Sequence, residues 1–375
     1  MRRSTWIVLL LVTVASVVAA AFVLDRKADR LAAREYGQPL FPQLAEQINE
    51  VAQLAFVTPK GAWSLSRDDD GRWHHDARSG YPADADEVKR LVVALSRATI
   101  IAPKTSDPEL HDRLGLEEPK PLPDGKADSS DSAIKVVASD ASGSNLAGVI
   151  LGKTKQLGDA TAPAKVYVRR AGENETWLAE GFFNLKPAPT DWLDRDLFKV
   201  SKDVVTDIRV AHPDMPVLEL NRSEYGYFHV TDLPDGLQEQ EIRLTATGRA
   251  LEFLKPRDVA PENEVDFTGA TQTTFTTQSG WIVTVDILDA QRKVDNTDAF
   301  WLRFDVRFDA SLIEQLPVGI DGKEPDPIVA EDEEARARAA ATKVDGWAYL
   351  FPSFTAENFM PTLDTLTKPK PEEDS

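Results

Sequence analysis

The sequence predicts an α+β protein: one N-terminal transmembrane helix followed by a periplasmic region of repeated small modules, each an antiparallel sheet plus a helix. Three observations support this prediction. An uncharged run occupies residues 6–24, short alternating strands precede a helical stripe, and the same order of elements recurs further along the chain. Recurrence of one small unit is typical of chains built from repeated modules.

The N-terminal run reads "WIVLLLVTVASVVAAAFVL" and carries no charge. A helix rises about 1.5 Å per residue, so the run nearly matches a hydrocarbon core of about 30 Å. The triplet Asp25-Arg26-Lys27 ends it abruptly. A cleaved signal peptide is the alternative, because small residues near the end offer a cleavage site. We expect an uncleaved anchor and juxtamembrane helix over 1–34, single-pass in the bacterial inner membrane, with the bulk of the chain periplasmic.

The first module is predicted over 35–116. The stretch "AWSLSR" alternates apolar and polar residues, "DDDG" is typical of a turn, and "RWHHD" then returns as the second strand of a hairpin. Asp84 and Glu87 have the spacing of a helix capping box. The apolar stripe that follows lies at helical spacing and comprises Val88, Leu91, Val92 and Leu95. These patterns predict an amphipathic helix packed on the hairpin.

The same order recurs over 204–262, the predicted second module. There "LELNR" matches "WSLSR" and "YGYFHV" matches "DGRWHH", so that Arg67, Gly71, Trp73 and His74 correspond to Arg222, Gly226, Phe228 and His229. A weaker helical stripe follows at Leu244, Thr247, Leu251 and Leu254. A third strand-rich module is predicted over 263–366, ending in "GWAYLFPSFTAENFMPTLDTL". Chance similarity among short hairpins is the alternative to a repeat.

The remaining segments have distinct compositions. The pattern of residues 134–203 predicts an antiparallel meander with glycine and asparagine at its turns. Residues 117–133 are rich in proline, serine and aspartate and predict a flexible loop, while 367–375 predict a disordered tail. Residues 322–343, inside the third module, form an acidic, alanine-rich insertion that we expect to be helical and solvated, without a convincing apolar face.

Composition excludes several classes of function. The formal net charge of −19 argues against nucleic acid as a partner, because such proteins present a basic face. The chain has no cysteine, which excludes disulfides, zinc–cysteine sites and thiol nucleophiles. With 375 residues, of which 42% are hydrophobic, the chain is long enough for two or three compact units.

No catalytic, cofactor-binding or metal-binding residues are predicted, and no cofactor. His74 and His75 are neighbours in a strand and would point to opposite faces, so they cannot easily share one metal ion. The stretch "GVILGKT" (148–154) is one residue short of a phosphate-binding loop, and another strand follows it instead of a helix. We therefore interpret it as part of a hairpin.

Six strand aromatics could stack on sugars or lipids, although strand aromatics mostly fill a core. They are Trp63, Trp73, Phe228, Trp281, Trp301 and Trp347. They carry the alternative prediction of an envelope module that binds glycan or lipid. A third hypothesis, a hydrolase with an unrecognised carboxylate pair, requires two acidic side chains that converge in a pocket.

The order of motifs resembles the bacterial domain-of-unknown-function family 4340. The similar pieces include "GRWHH", "ELHDRLGLEEP", "VILGKT", "DWLDRDLFKVSKDVVTDIRV" and "GYFHV", and they cover most of the chain from about residue 50 to 260. The resemblance implies a chain anchored by one N-terminal helix that accompanies ATP-binding cassette (ABC) permeases and gliding-motility-type auxiliary subunits. That family has no agreed catalytic residues, so the resemblance assigns none here.

The prediction is thus a non-enzymatic, membrane-anchored periplasmic accessory or scaffold subunit of an ABC-type transporter complex. Its expected partners are the inner membrane and integral membrane proteins, namely the permease and gliding-motility-type auxiliary subunits. Tethering raises the effective concentration near such partners, so that individually weak contacts suffice.

Overall fold

A computed structural model of the chain describes residues 36–122, 133–159, 162–183, 186–313 and 330–370. The predicted anchor at 1–34 lies outside these residues, as do parts of the predicted loop 117–133, insertion 322–343 and tail 367–375. The chain divides into two compact units, Met1–Leu193 and Asp194–Ser375.

The first unit contains one antiparallel sheet of nine strands in the order β4-β3-β2-β1-β6-β7-β8-β9-β5. The strands are β1 Val51–Thr58, β2 Gly61–Arg67, β3 Trp73–His75, β4 Tyr81–Pro82, β5 Thr99–Pro103, β6 Ile134–Asp140, β7 Asn145–Gln156, β8 Ala164–Arg170 and β9 Thr176–Gly181. The helices are α1 Pro42–Glu46, α2 Ala85–Arg97 and α3 His111–Leu114, with 3-10 turns at Ile48–Glu50, Asp76–Arg78, Pro108–Leu110 and Pro189–Trp192.

The second unit contains an antiparallel sheet of eight strands, ordered β12-β11-β10-β15-β16-β17-β18-β14, and a separate β13–β19 pair. The strands are β10 Val205–Ala211, β11 Leu218–Arg222, β12 Phe228–Val230, β13 Leu237–Glu239, β14 Asp258–Pro261, β15 Thr271–Thr277, β16 Trp281–Val294, β17 Thr297–Phe308, β18 Trp347–Pro352 and β19 Thr367–Pro369. The helices are α4 Glu241–Gly248, α5 Ala330–Val344, α6 Ser353–Ala356 and α7 Leu363–Leu366, with 3-10 turns at Ala250–Glu252, Glu262–Glu264, Ala310–Leu312 and Glu357–Phe359.

The predicted fold class, α+β with one N-terminal transmembrane helix and small sheet-plus-helix modules, is wrong. The described residues form mainly antiparallel sheets with few helices. Within the described ranges, no helix combines the length and the apolar composition that a membrane crossing requires. The predicted hairpins do not close into small sheets of their own, because β1 pairs with the distant β6 and β10 with β15, which joins each hairpin to a long meander.

The second large sheet has the same topology as eight of the nine strands of the first. Strands β3-β2-β1-β6-β7-β8-β9-β5 of the first unit correspond in order to β12-β11-β10-β15-β16-β17-β18-β14 of the second. The repeated unit is therefore larger than the predicted module, since it includes the meander. The residues predicted as a third module supply β15–β18 of the second unit, and Trp347 lies in β18, the counterpart of β9.

The two repeats even share the hydrogen bonds of one hairpin turn. In the first unit Asp68 N–H donates to the Arg72 carbonyl at 2.9 Å, and in the second Ser223 N–H donates to the Tyr227 carbonyl at 2.8 Å. Gly71 and Gly226 occupy the same left-handed position, with φ of 82° and 85°, which favours glycine because it has no Cβ. The residue correspondence predicted from sequence holds at this turn.

The predicted helix on the first hairpin is confirmed as α2. The Asp84 side chain caps it by accepting the backbone N–H groups of Asp86 and Glu87. Its buried face contains the predicted stripe of Val88, Leu91, Val92 and Leu95. This face joins a core in which the rings of Phe56 and Trp63 stack with centroids 5.1 Å apart. The helix therefore covers one face of the nine-stranded sheet, which includes β9.

The counterpart helix α4 packs closely on its hairpin through a glycine. A Cβ added at Gly248 would lie 2.2 Å from a ring carbon of Phe228, so the ring occupies the space that any other residue would need. The predicted stripe Leu244, Thr247, Leu251 and Leu254 is buried, although the helix ends at Gly248.

Helix α5 contains the described part of the acidic insertion, and it has an apolar face after all. Ala337, Ala340 and Val344 are buried. Trp281 Nε1 donates a hydrogen bond of 2.8 Å to Glu333, and the Arg336 guanidinium lies 5.7 Å from the Trp281 ring centroid. Because most of this face is alanine, it is only weakly hydrophobic, and the sequence pattern therefore does not predict it.

Candidate functional site: an apolar surface on the first unit

The two neighbouring histidines do not converge. His74 Nε2 lies 2.8 Å from the Asp68 carboxylate, whereas His75 Nε2 lies 3.0 Å from the Pro189 carbonyl. Burial lowers the pKa of the His75 imidazole and outweighs the opposing effect of its hydrogen bond to the Pro189 carbonyl. Among the described residues, no group of three or more His, Asp or Glu side chains could hold a metal ion.

The stretch "GVILGKT" lies within β7, which pairs with β8 in an antiparallel hairpin, as predicted. Its residues have packing roles. A Cβ at Gly152 would lie 2.5 Å from the Leu114 carbonyl oxygen, so the glycine allows the end of α3 to approach the strand. Lys153 Nζ donates to the Arg113 carbonyl at 3.1 Å, near the same helix end, where a cation is favourable.

Three of the six strand aromatics are buried, namely Trp63, Phe228 and Trp281. Trp73, Trp301 and Trp347 are half-buried. The aromatics also fall in different units, since Trp73 belongs to the first and Trp301 and Trp347 to the second. The three buried rings are not accessible for stacking on a glycan or a lipid. For the three half-buried rings, the alternative prediction of a glycan- or lipid-binding module stays a prediction.

An exposed apolar surface lies at the end of β9 in the first unit. Phe182 follows the last residue of this strand and is 59% exposed, and Leu157, which follows β7, is 85% exposed. Phe182 lines two adjacent grooves, one of about 580 Å³ against α2 and one of about 420 Å³ beside β7 and β8. We call this region the Phe182 surface; its apolar members are Val93, Ala94, Leu157, Ala162, Pro163, Ala164, Val166, Phe182 and Phe183.

The rim beside α2 is charged. Lys89, Arg90 and Arg97 line it together with Asp86 and Glu180. Nearby, Lys186 Nζ lies 2.8 Å from Glu87, whose other partner is Arg90. Burial raises the pKa of Glu87, but the hydrogen bonds from Arg90 and Lys186 outweigh it and hold that pKa below its usual range. These ion pairs fix the first turns of α2 beside the groove.

Sequence reasoning missed this surface, although "EGFF" contained a signal. Two consecutive phenylalanines at a strand end cannot both face the core, because neighbouring side chains of a strand point to opposite faces. Leu157 stands alone in a polar stretch and had no comparable signal.

A family model described as "Domain of unknown function (DUF4340)" matches residues 73–266, more than half of the 375-residue chain. The chain belongs to this family. The resemblance predicted from the motifs is thereby confirmed. No curated protein and no solved structure matches the chain.

The DUF4340 match runs from β3 in the first unit to Asp266 in the second, so it contains parts of both repeats. The whole Phe182 surface lies inside it. The family description assigns no activity, so what this DUF4340 protein does has to be argued from its surfaces.

Proposed function

We propose that this DUF4340 protein is a non-enzymatic periplasmic accessory subunit that binds partner proteins of an ABC-type transporter complex. The observation that carries the proposal is the Phe182 surface, where the exposed side chains of Phe182 and Leu157 lie beside two adjacent grooves. Clustered exposed apolar groups are typical of protein–protein contact sites, and aromatic residues frequently dominate their binding energy.

The choice of partner rests on the family. The resemblance to family 4340 supports ABC permeases and gliding-motility-type auxiliary subunits as partners and the periplasm as the compartment. The two grooves beside Phe182 support a contact in which a partner side chain inserts on each side of the ring. Removal of apolar surface from water is the main favourable contribution to contacts of this kind.

The test is co-purification of membrane subunits from detergent extracts with the tagged full-length chain. Phe182→Asp combined with Leu157→Asp should reduce recovery of an ABC-type subunit by at least about tenfold, because both substitutions place charge in the contact. Ile242→Asp combined with Phe354→Asp is the matched control, since both residues are exposed and lie in the second unit. Equal recovery with both variants would reject the Phe182 surface as the contact, and absence of any ABC-type subunit would reject the proposed assembly.

A further inference from the structure

The second unit contains a separate groove beside the β10–β11 turn. It has a volume of about 360 Å³ and is lined by this turn, by the ends of the β11–β12 hairpin and by the start of α7. His212 links the turn to the segment before α7, because its Nε2 lies 3.0 Å from the Pro361 carbonyl oxygen. Its Nδ1 lies 3.0 Å from the Thr271 hydroxyl of β15. The turn and the segment before α7 are therefore held together.

The groove has an apolar floor that is open to solvent. Met215 is 54% exposed and Val217 is 44% exposed, while Leu218 and Val230 are buried beneath them and Leu363 lines the α7 side. A methionine beside branched aliphatic side chains forms an adaptable apolar surface, because its thioether chain is flexible and polarisable. Such a floor suits an aliphatic side chain of a ligand.

The rim of this groove is acidic. Glu219, Asp232 and Asp364 line it, and none of the described lining residues is Lys or Arg. In the part of the chain that the structure describes, Asp232 and Asp364 form no ion pair, while Glu219 pairs with Arg209 at 3.8 Å. Carboxylates attract cations, and the attraction is stronger where part of the surroundings is protein instead of water.

We infer that this groove binds a segment of a partner protein that combines aliphatic side chains with Lys or Arg. The floor would bury the aliphatic groups while the three carboxylates pair with the cations, an arrangement in which charge complementarity selects the partner and its register. The site lies apart from the Phe182 surface in sequence and belongs to the other unit, so its test does not depend on the transporter assignment.

The experiment measures binding of two fluorescent synthetic peptides to the full-length chain by anisotropy. One peptide alternates leucine with lysine, and the other alternates leucine with glutamate. The lysine peptide should bind, and its affinity should fall as the salt concentration is raised, since screening reduces the attraction between exposed charges. Asp232→Asn combined with Asp364→Asn should weaken its binding by about tenfold.

A matched variant separates the groove from the general negative charge of −19. Asp69→Asn combined with Glu109→Gln removes the same number of charges from exposed positions of the first unit and should change the affinity less than about twofold. Val217→Ser tests the apolar floor of the groove. It should lower the affinity for the lysine peptide without changing how that affinity depends on salt concentration. The inference is overturned if the control pair weakens binding as much as the groove pair, or if the glutamate peptide binds equally well.

Discussion

The Nε2 atom of His74 lies 2.8 Å from the Oδ2 atom of Asp68, while Nδ1 of the same ring lies 2.9 Å from the Gly80 carbonyl oxygen. Both neighbours are hydrogen-bond acceptors. The pair links the β2–β3 turn to the segment before β4. His229, the counterpart in the second unit, bonds Glu239 instead, at 2.8 Å.

This relationship predicts an acid-sensitive step in folding stability. The hydrogen bond from His74, followed by that from the Arg72 backbone, lowers the pKa of Asp68 from 3.8 to about 2. A carboxyl whose pKa is lower in the folded state stabilises the fold above its unfolded pKa, and that stabilisation is lost as the pH falls from about 4 towards about 2. Urea unfolding across this range should show a shallower loss for Asp68→Asn than for the wild type.

Asp69→Asn is the matched control for that series, because Asp69 is the exposed neighbour in the same turn. It should follow the wild-type pH dependence. A wild-type slope in Asp68→Asn would show that the His74 contact contributes nothing to acid stability.

The packing of α4 on the second hairpin predicts a specific effect at Gly248. Alanine normally favours a helix over glycine by about 1 kcal/mol. Here Gly248→Ala should instead lower the free energy of unfolding by about 1–3 kcal/mol, because its Cβ would overlap the Phe228 ring. Denaturant unfolding measures this change.

A double-mutant cycle separates the overlap from other causes. Phe228→Leu removes the ring atoms that Gly248→Ala would meet, so the double variant should be more stable than the sum of the two single effects by about 1 kcal/mol or more. Simple additivity would mean that the glycine is needed for another reason.

The alanine face of α5 gives the third prediction. Ala337 is buried and Ala339 is exposed on the same helix. Ala337→Asp should destabilise the second unit by about 2–4 kcal/mol, because it buries an unpaired charge or detaches the helix. Ala339→Asp has the same helix-propensity cost, about 0.7 kcal/mol, and should lower the free energy of unfolding by no more than about 1 kcal/mol. Equal effects would show that α5 does not depend on this face.

Local patterns allowed much of the fold to be predicted. The α2 stripe and the hairpin turns at Gly71 and Gly226 depend on residues close in sequence and are predicted correctly. The predicted capping box forms only in part, because Asp84 caps α2 while the Glu87 side chain pairs with Arg90 and Lys186. Strand pairing over long separations was not predicted, because nothing near β1 or β10 shows that β6 or β15 will lie beside it. The repeat was therefore divided into modules that are too small, although its residue correspondence was sound.

The candidate sites were harder to predict for a related reason. Phe182 and Met215 are apolar residues at the end of a strand and in a turn, and their exposure follows only from the three-dimensional course of the chain. The acidic rim of the second groove combines Asp232 with Asp364, which are distant in sequence. By contrast, the neighbouring pair His74 and His75 is conspicuous in the sequence but does not form a site, because each ring contacts a different part of the fold.

Partner binding through the Phe182 surface is tested most directly by photo-crosslinking in intact cells. A photoreactive phenylalanine analogue at position 182 should crosslink to an integral membrane subunit of an ABC-type transporter, identified by mass spectrometry, whereas the same analogue at the exposed position 242 should not. Crosslinks of equal yield from both positions, or none to such a subunit from position 182, would contradict the account.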